Sequence, residues 1–152
     1  ATSLTAVTAL LAGTGSAQAV EVTITATMKN VGEGAYAAVY LTDSQGAYQG
    51  SLWLSGGKAK YYQHLPDWFQ ATGGAATEYD GITGASIGSG RTLQVTVDLA
   101  DALIDAGYQI RIDTSVEDGR DIAKDIAVDL TTAGAGQTTA GRGYIKSFSY
   151  GL

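Results

Sequence analysis

The chain has 152 residues, 45% of them hydrophobic, and a formal net charge of −6. This length and apolar fraction support one folded domain with a substantial core and argue against disorder. The nine cations are scattered from Lys29 to Lys146 without a basic stripe, so a nucleic-acid role has little electrostatic support. The absence of cysteine excludes disulfides and thiolate metal sites, and a single His64 excludes any site that needs two imidazoles.

Residues 1–19 differ in composition from the rest of the chain. They carry no charge, are rich in Ala, Leu and Thr, and end in Ala17-Gln18-Ala19 just before a strand-like stretch. An apolar region that ends in such small residues is typical of a secretory signal, with cleavage expected after Ala19. We therefore expect a periplasmic or extracellular protein. If the segment is retained, it is a membrane span or a strand donated to a neighbouring subunit.

Seven short stretches of β character follow, separated mostly by glycine turns. In VEVTITATM, residues 20–28, apolar and polar side chains alternate, which predicts a strand with one face in the core. Asp43-Ser44-Gln45-Gly46 is typical of a hairpin turn between two of the strands. The seven predicted strands are residues 20–28, 35–42, 48–55, 92–99, 107–116, 122–130 and 143–150.

This strand pattern, with no helix between most strands, predicts an all-β fold. We expect a single antiparallel β-sandwich domain, immunoglobulin-like, over residues 20–152. Residues 99–107 have room for one or two helical turns. The Gly-, Thr- and Ala-rich residues 131–143 predict a long flexible loop.

One segment, KAKYYQHLPDWFQAT at residues 58–72, breaks the strand pattern. Its large side chains have helical spacing, with Pro66 acceptable only where a new turn starts. The spacing predicts a short helical cap that closes one end of the sandwich, with its aromatic residues as core. The residues at helical spacing are Tyr61, Leu65, Trp68 and Phe69.

No established catalytic or metal-binding motif occurs in the chain, and we predict neither catalytic residues nor metal ligands. Ser86 and Ser89 lie in no Gly-x-Ser-x-Gly elbow, and His64 has no evident triad partners. The Walker and Rossmann glycine patterns are missing. A two-carboxylate glycosidase stays open on residue types alone. Two groups of acids do not match the spacing of a calcium loop: Asp98, Asp101 and Asp105, and Glu117, Asp118 and Asp121.

Residues 80–86, DGITGAS, stand out because small, hydroxylated and glycine positions follow an acid. Such a stretch is either a plain surface turn or a loop whose last hydroxyl must be reached by an enzyme. It resembles the flavin-attachment motif Asp-x-x-(Ser/Thr)-Gly-Ala-(Ser/Thr). That motif occurs in flavinylated subunits of the sodium-pumping NADH:quinone reductase and of Rnf complexes, and in exported domains modified by FAD:protein FMN transferase. The resemblance implies that Asp80 is the motif acid, Thr83 the first hydroxyl residue, Gly84 and Ala85 the small pair, and Ser86 the residue that carries FMN through a phosphoester.

A wider resemblance surrounds the motif. The order KYYQHLPDWFQAT, DGITGAS, a strand and then GYQIRI is similar to a family of predicted periplasmic β-sandwich proteins of uncharacterised function, over most of residues 20–150. Two positions depart from the family pattern. Ser86 stands where Thr is usual, and Val97-Asp98-Leu99 stands where the family tends to have Trp-Asp-Gly.

The resemblance implies an exported electron-transfer domain that carries covalent FMN on Ser86. Its partners would be the FMN transferase and redox proteins. We expect Asp80 to hydrogen-bond the amides of its own loop, and Tyr79, Trp68 or Tyr62 to offer a stacking surface for the flavin.

Two alternatives stay open. One is a non-catalytic structural or assembly subunit of a periplasmic or extracellular polymer, which self-associates through its N-terminal segment. The other is a ligand-binding sandwich that uses the aromatic cluster of Tyr61, Tyr62, Trp68 and Phe69.

Overall fold

The computed structural model describes the backbone of residues 2–5 and both backbone and side chains of residues 18–152. Two β-sheets pack face to face around a shared apolar core. Within these described residues, the helices are α1 (Pro66–Thr72) and three short 3-10 helices, Ala59–His64, Ala76–Glu78 and Asp101–Leu103. The strands are β1 (Thr2–Thr5), β2 (Ala19–Met28), β3 (Ala35–Thr42), β4 (Tyr48–Ser55), β5 (Thr83–Gly84), β6 (Thr92–Ala100), β7 (Gln109–Val116), β8 (Asp121–Asp129) and β9 (Ile145–Gly151).

The strand order is β1-β6-β2-β9 in the first sheet and β5-β4-β3-β7-β8 in the second. Neighbouring strands are antiparallel except for two edge pairs, β1–β6 and β4–β5. The predicted all-β sandwich is confirmed, and each of the seven predicted strands is present within two residues of its expected bounds. Of the one or two helical turns expected within residues 99–107, the structure has one, the 3-10 helix Asp101–Leu103. The short strand β5 is an addition that the sequence did not predict, and β1 was expected as a strand only if it were donated to a neighbouring subunit.

Most of the predicted leader segment lies outside the described residues. Its described part contributes β1, which runs parallel to β6 of the same chain, and Ala19, which begins β2. Cleavage after Ala19 and a membrane span therefore stay predictions.

Strand alternation builds the core. On β2 the side chains of Val22, Ile24 and Ala26 are buried, because every second residue of a strand faces the same side of the sheet. The intervening threonines face outward and pair across strands: the hydroxyl of Thr23 lies 3.1 Å from that of Thr96 on β6. The alternation thus separates an apolar inner face from a hydrogen-bonded outer face.

The helical cap, which we define as residues 59–72, covers the outer face of the second sheet. A second apolar cluster forms there, separate from the sandwich core, between outward-facing strand residues and the cap. The cap was expected to close one end of the sandwich, and this location is wrong. The physical reason is in β3, AYAAVYLT, which is apolar on both faces and needs cover on both. The cluster consists of Ala38, Tyr40, Leu54, Tyr62, Leu65 and Trp68.

A buried carboxylate on β7, that of Asp113, fastens the cap to the sheet. It accepts hydrogen bonds from the Trp68 backbone N–H (2.8 Å), the Tyr40 hydroxyl (3.0 Å) and the Lys124 backbone N–H (2.9 Å). Leu65, the residue before α1, provides no side-chain cap, so a strand residue satisfies a free N–H in the first turn of the helix. Asp113 therefore joins α1, β3 and β8 at one point.

Residues 131–143 form the predicted loop, but they are fixed to the sandwich. The Tyr150 hydroxyl accepts a hydrogen bond from the Thr131 backbone N–H at 2.9 Å. At the other end, the buried carboxylate of Asp125 accepts one from the Gly143 backbone N–H at 2.9 Å. Both ends of the segment are thus hydrogen-bonded to strand residues, and its flexibility stays a prediction.

Replacing Asp113 with Asn is expected to lower the free energy of unfolding by about 1–3 kcal/mol, the cost of a buried donor left without an acceptor. An amide has a single acceptor oxygen, so its NH2 group faces the N–H of either Trp68 or Lys124. Chemical denaturation followed by tryptophan fluorescence measures the change. The control Glu21→Gln removes an exposed carboxylate and is expected to stay within about 0.5 kcal/mol of wild type. Equal losses in the two variants would contradict the role given to Asp113.

The difference in the free energy of unfolding between wild type and Asp113→Asn should depend on pH, and the pKa of Asp113 gives the sign. Burial raises the pKa of Asp113 above its ordinary value, although its hydrogen bonds act in the opposite direction. The native state therefore holds the proton more tightly than the unfolded chain. The resulting stability is complete below the unfolded pKa of about 3.9 and is lost as the pH rises through the native pKa. The advantage of wild type over Asp113→Asn should be larger near pH 4 than near pH 7, and an advantage that grows with pH would contradict this.

Candidate functional site

Two sets of backbone hydrogen bonds hold the C-terminal end of the motif loop, residues 80–86. Within it, β5 pairs in parallel with β4, and the Gly84 carbonyl accepts a hydrogen bond from the Gly56 N–H at 2.8 Å. Just beyond the loop, Ile87 exchanges two backbone hydrogen bonds with Ala35, at 2.8 and 2.9 Å. Only Ala85 and Ser86 lie between these two backbone anchors, so the backbone determines where Ser86 is presented.

Ser86 is exposed, and among residues 18–152 its hydroxyl has no hydrogen-bond partner. Its neighbour across the gap is Gly34, where a Cβ atom would lie 2.9 Å from the Ser86 Oγ. Because side-chain contacts of that length force a shift, the lack of a side chain at Gly34 leaves room for the hydroxyl. The geometry thus presents a reachable hydroxyl on a positioned loop.

The other motif residues have more ordinary roles. Asp80 and Thr83 are exposed, and Gly81 has a φ of 83°, a turn conformation that glycine adopts without strain. The Asp80 carboxylate makes no hydrogen bond within the described part of the chain, so the expectation that it holds the amides of its own loop is wrong. Backbone bonds hold the turn instead, from the Asp80 N–H to the Ala76 carbonyl and from the Ile82 N–H to the Tyr79 carbonyl.

The aromatic residues expected to stack on a flavin are mostly core. Trp68 is 0% exposed, and its indole N–H donates to the Ser51 hydroxyl at 2.9 Å. Tyr62 is buried as well, and its hydroxyl donates to the Gly56 carbonyl. The stacking role is therefore wrong for both, since neither ring face is open. Tyr79 is partly buried, with its ring centroid 5.1 Å from that of Tyr62, and its stacking role stays a prediction.

An open cavity of about 760 Å³ adjoins Ser86 at one end of the second sheet. Its wall is formed by the start of β3, the 3-10 helix Ala59–His64, the motif loop and the hairpin between β7 and β8. Tyr36 and Tyr61 contribute aromatic rings to this wall, and Tyr61 is 41% exposed. The charged groups of the wall are the carboxylates Glu33, Glu117, Asp118 and Asp121, with Lys58 and His64 among them.

A hydrogen-bonded chain of three side chains lies in the same wall. The Ser115 hydroxyl donates to one oxygen of Asp121 at 2.8 Å, and the other oxygen of Asp121 lies 3.1 Å from His64 Nδ1. The chain is not a catalytic triad, because the serine contacts the carboxylate and not the imidazole. Sequence reasoning missed it, since His64 and Asp121 are 57 residues apart and no local spacing connects them.

The remaining acids show no metal-binding geometry. Within the described ranges, no group of three or more His, Asp or Glu side chains is arranged to hold a metal ion. Asp105, one of the candidates in the sequence, accepts hydrogen bonds from the backbone N–H and the hydroxyl of Thr132, which lower its pKa. That carboxylate is thus part of a loop contact.

A family model described as a predicted periplasmic protein (DUF2271) matches residues 17–147. The chain belongs to this family. The resemblance to a periplasmic family of uncharacterised function is confirmed, and with it the expected periplasmic location. The comparisons with curated proteins and with solved structures returned no match. Among the residues that the structure describes, no helix has the length and apolar character needed to span a bilayer.

The accessibility of position 86 can be tested by thiol labelling, because the chain has no cysteine of its own. Ser86→Cys should react with the disulfide reagent DTNB at nearly the rate of the unfolded chain, since the side chain is exposed. Ser55→Cys, the same change at a residue that is 0% exposed, should react at least about tenfold more slowly because it needs local opening. Similar protection at both positions would contradict the exposed placement of Ser86.

Proposed function

We propose that this periplasmic protein is an electron carrier with FMN attached covalently to Ser86. The observation that carries the proposal is the combination of the DGITGAS motif with an exposed hydroxyl at its last position, beside an open cavity. A plain surface turn needs neither the position of Ser86 between two backbone anchors nor the space kept free by Gly34.

Attachment would be a phosphoryl transfer from FAD, catalysed by FAD:protein FMN transferase. The Ser86 oxygen attacks the phosphorus on the flavin side of the pyrophosphate, and the bond from that phosphorus to AMP breaks. AMP leaves, and a base takes the hydroxyl proton. The reaction needs an acceptor that a bulky donor can approach, which an exposed hydroxyl preceded by the small residues Gly84 and Ala85 provides.

The local chemistry is compatible with a flavin. FMN when bound supplies one- and two-electron chemistry, and the protein positions it and sets its surroundings. Ser86 would hold the phosphate, and the cavity wall contains exposed aromatic and hydrogen-bonding groups. We infer a carrier that exchanges electrons with partner proteins through this flavin.

Co-expression with an FAD:protein FMN transferase tests the proposal. The intact mass of the wild-type chain should rise by one FMN less one water, since a phosphoester forms with loss of AMP from FAD. Ser86→Ala should abolish the increment because it removes the acceptor oxygen. Ser86→Thr should retain it, since a threonine hydroxyl can also accept the group.

Two matched pairs control this experiment. Ser44→Ala removes an exposed hydroxyl in the turn between β3 and β4 and should leave the increment intact. Gly34→Ala places a Cβ against the Ser86 hydroxyl and should slow attachment, whereas Gly57→Ala, with open space around its Cβ, should not. An unmodified wild-type chain, or an increment that survives Ser86→Ala, would refute the proposal.

A second candidate is an assembly role, favoured by β1. Thr2–Thr5 lies beside β6, in register from Thr2 opposite Leu93 to Thr5 opposite Thr96. Donating this strand to a neighbouring copy would keep the same backbone hydrogen bonds, which is the mode of strand addition. Sedimentation of the chain with and without residues 1–18 separates the cases. Assembly that requires the segment supports this role, and monomers in both samples exclude it.

A further inference from the structure

The cavity beside Ser86 has features that the attachment of FMN does not itself require. They are its volume, an exposed tyrosine and an oriented histidine in the wall. We propose that the cavity holds the isoalloxazine ring of the FMN, which folds back from Ser86 to stack on Tyr61 and to hydrogen-bond with His64. This inference rests on the proposed function and adds to it the place of the ring.

The size of the cavity fits such a group. Its volume of about 760 Å³ lies within the range of about 300–1,000 Å³ usual for small-molecule sites. Because Ser86 is part of the wall, a group attached there is delivered at an effective concentration of order millimolar. Weak contacts are therefore sufficient to hold the ring.

Tyr61 provides the stacking surface. Its ring is held edge-on against Tyr36, with centroids 5.9 Å apart and planes at 89°, and Tyr36 packs in turn against the buried Tyr62. The Lys60 ammonium group lies over the Tyr61 ring, 5.1 Å from its centroid. The ring is thus fixed by its neighbours and still 41% exposed, which suits contact with a planar aromatic ligand.

His64 provides a directed polar contact. Its Nδ1 lies 3.1 Å from a carboxylate oxygen of Asp121, and from this contact we assign the proton to Nδ1, which leaves Nε2 as an acceptor for a ligand in the cavity that His64 lines. No partner for Nε2 occurs in residues 18–152. Asp121 is itself held by the Ser115 hydroxyl, which limits rotation of the pair. The imidazole edge can therefore accept a hydrogen bond from a ring N–H of the flavin.

Flavin fluorescence tests the inference on the modified chain, once intact mass has shown that FMN is attached. A tyrosine stacked on isoalloxazine quenches its emission by electron transfer, so the native protein should be dim and brighten on denaturation. Tyr61→Leu should raise native emission at least about twofold. The control Tyr108→Leu, at a partly buried tyrosine that directly precedes β7 and does not line the cavity, should not. Emission equal to that of the denatured chain and unchanged by Tyr61→Leu would overturn the inference and leave the attachment standing.

A titration with free FMN tests the same site without attachment. Unmodified protein should quench FMN fluorescence saturably up to about 1 mM, the concentration that tethering would supply. His64→Gln should raise the dissociation constant about threefold to tenfold, because it removes one hydrogen bond to the ring. Tyr108→Leu should not change it. If attachment fails but this binding is found, the cavity site holds and the covalent proposal is lost. If neither attachment nor saturable quenching is found, both fail.

Discussion

The carboxylate of Asp113 is the contact on which the arrangement of the site depends. It lies on a central strand of the second sheet, fully buried, and accepts hydrogen bonds from the first turn of α1, from Tyr40 and from β8. Burying a carboxylate is costly unless donors satisfy it, so the bond from the Trp68 N–H favours this place for the cap. The chain leaves α1 at Gly73, in the left-handed conformation, and enters the motif loop seven residues later. The cap thus leads the chain to the motif loop, which its own backbone pairing then holds.

At Ser86, a backbone held by hydrogen bonds on both sides carries a hydroxyl that has no hydrogen-bond partner in residues 18–152. Parallel pairing with β4 holds the loop on one side, and the exchange between Ile87 and Ala35 holds it on the other. These are backbone interactions, which leave the side chain of Ser86 uncommitted. The same end of the sheet carries the cavity with His64 and Tyr61 in its wall. The proposed attachment point, Ser86, is in the motif loop, and the proposed ring site, at Tyr61 and His64, is in the cap. Packing of both against the second sheet brings them to the same cavity.

The sequence predicted what depends on local periodicity. Alternation along β2 and β6 gave the strands and the sandwich, and the spacing around Trp68 gave the cap. The sequence did not predict hydrogen bonds between residues that are far apart in the chain. Asp113 stands between Ile112 and Thr114 like an ordinary strand acid, and its donor on Trp68 is 45 residues away. The stacking role for Trp68 was wrong for a related reason, since helical spacing shows that a residue has a buried side but not what covers it. The apolar pattern AYAAVYLT of β3 was the available sign that the cap covers a sheet face.

The central claim is a covalent bond between the chain and a flavin. After co-expression with the transferase, acid precipitation separates bound from free cofactor, because denaturation releases any flavin that is held only by contacts. We expect the flavin absorbance to stay in the precipitate at about one flavin per chain and, after proteolysis, to follow the peptide that contains Ser86. Flavin found wholly in the supernatant, or on a peptide without Ser86, would contradict it.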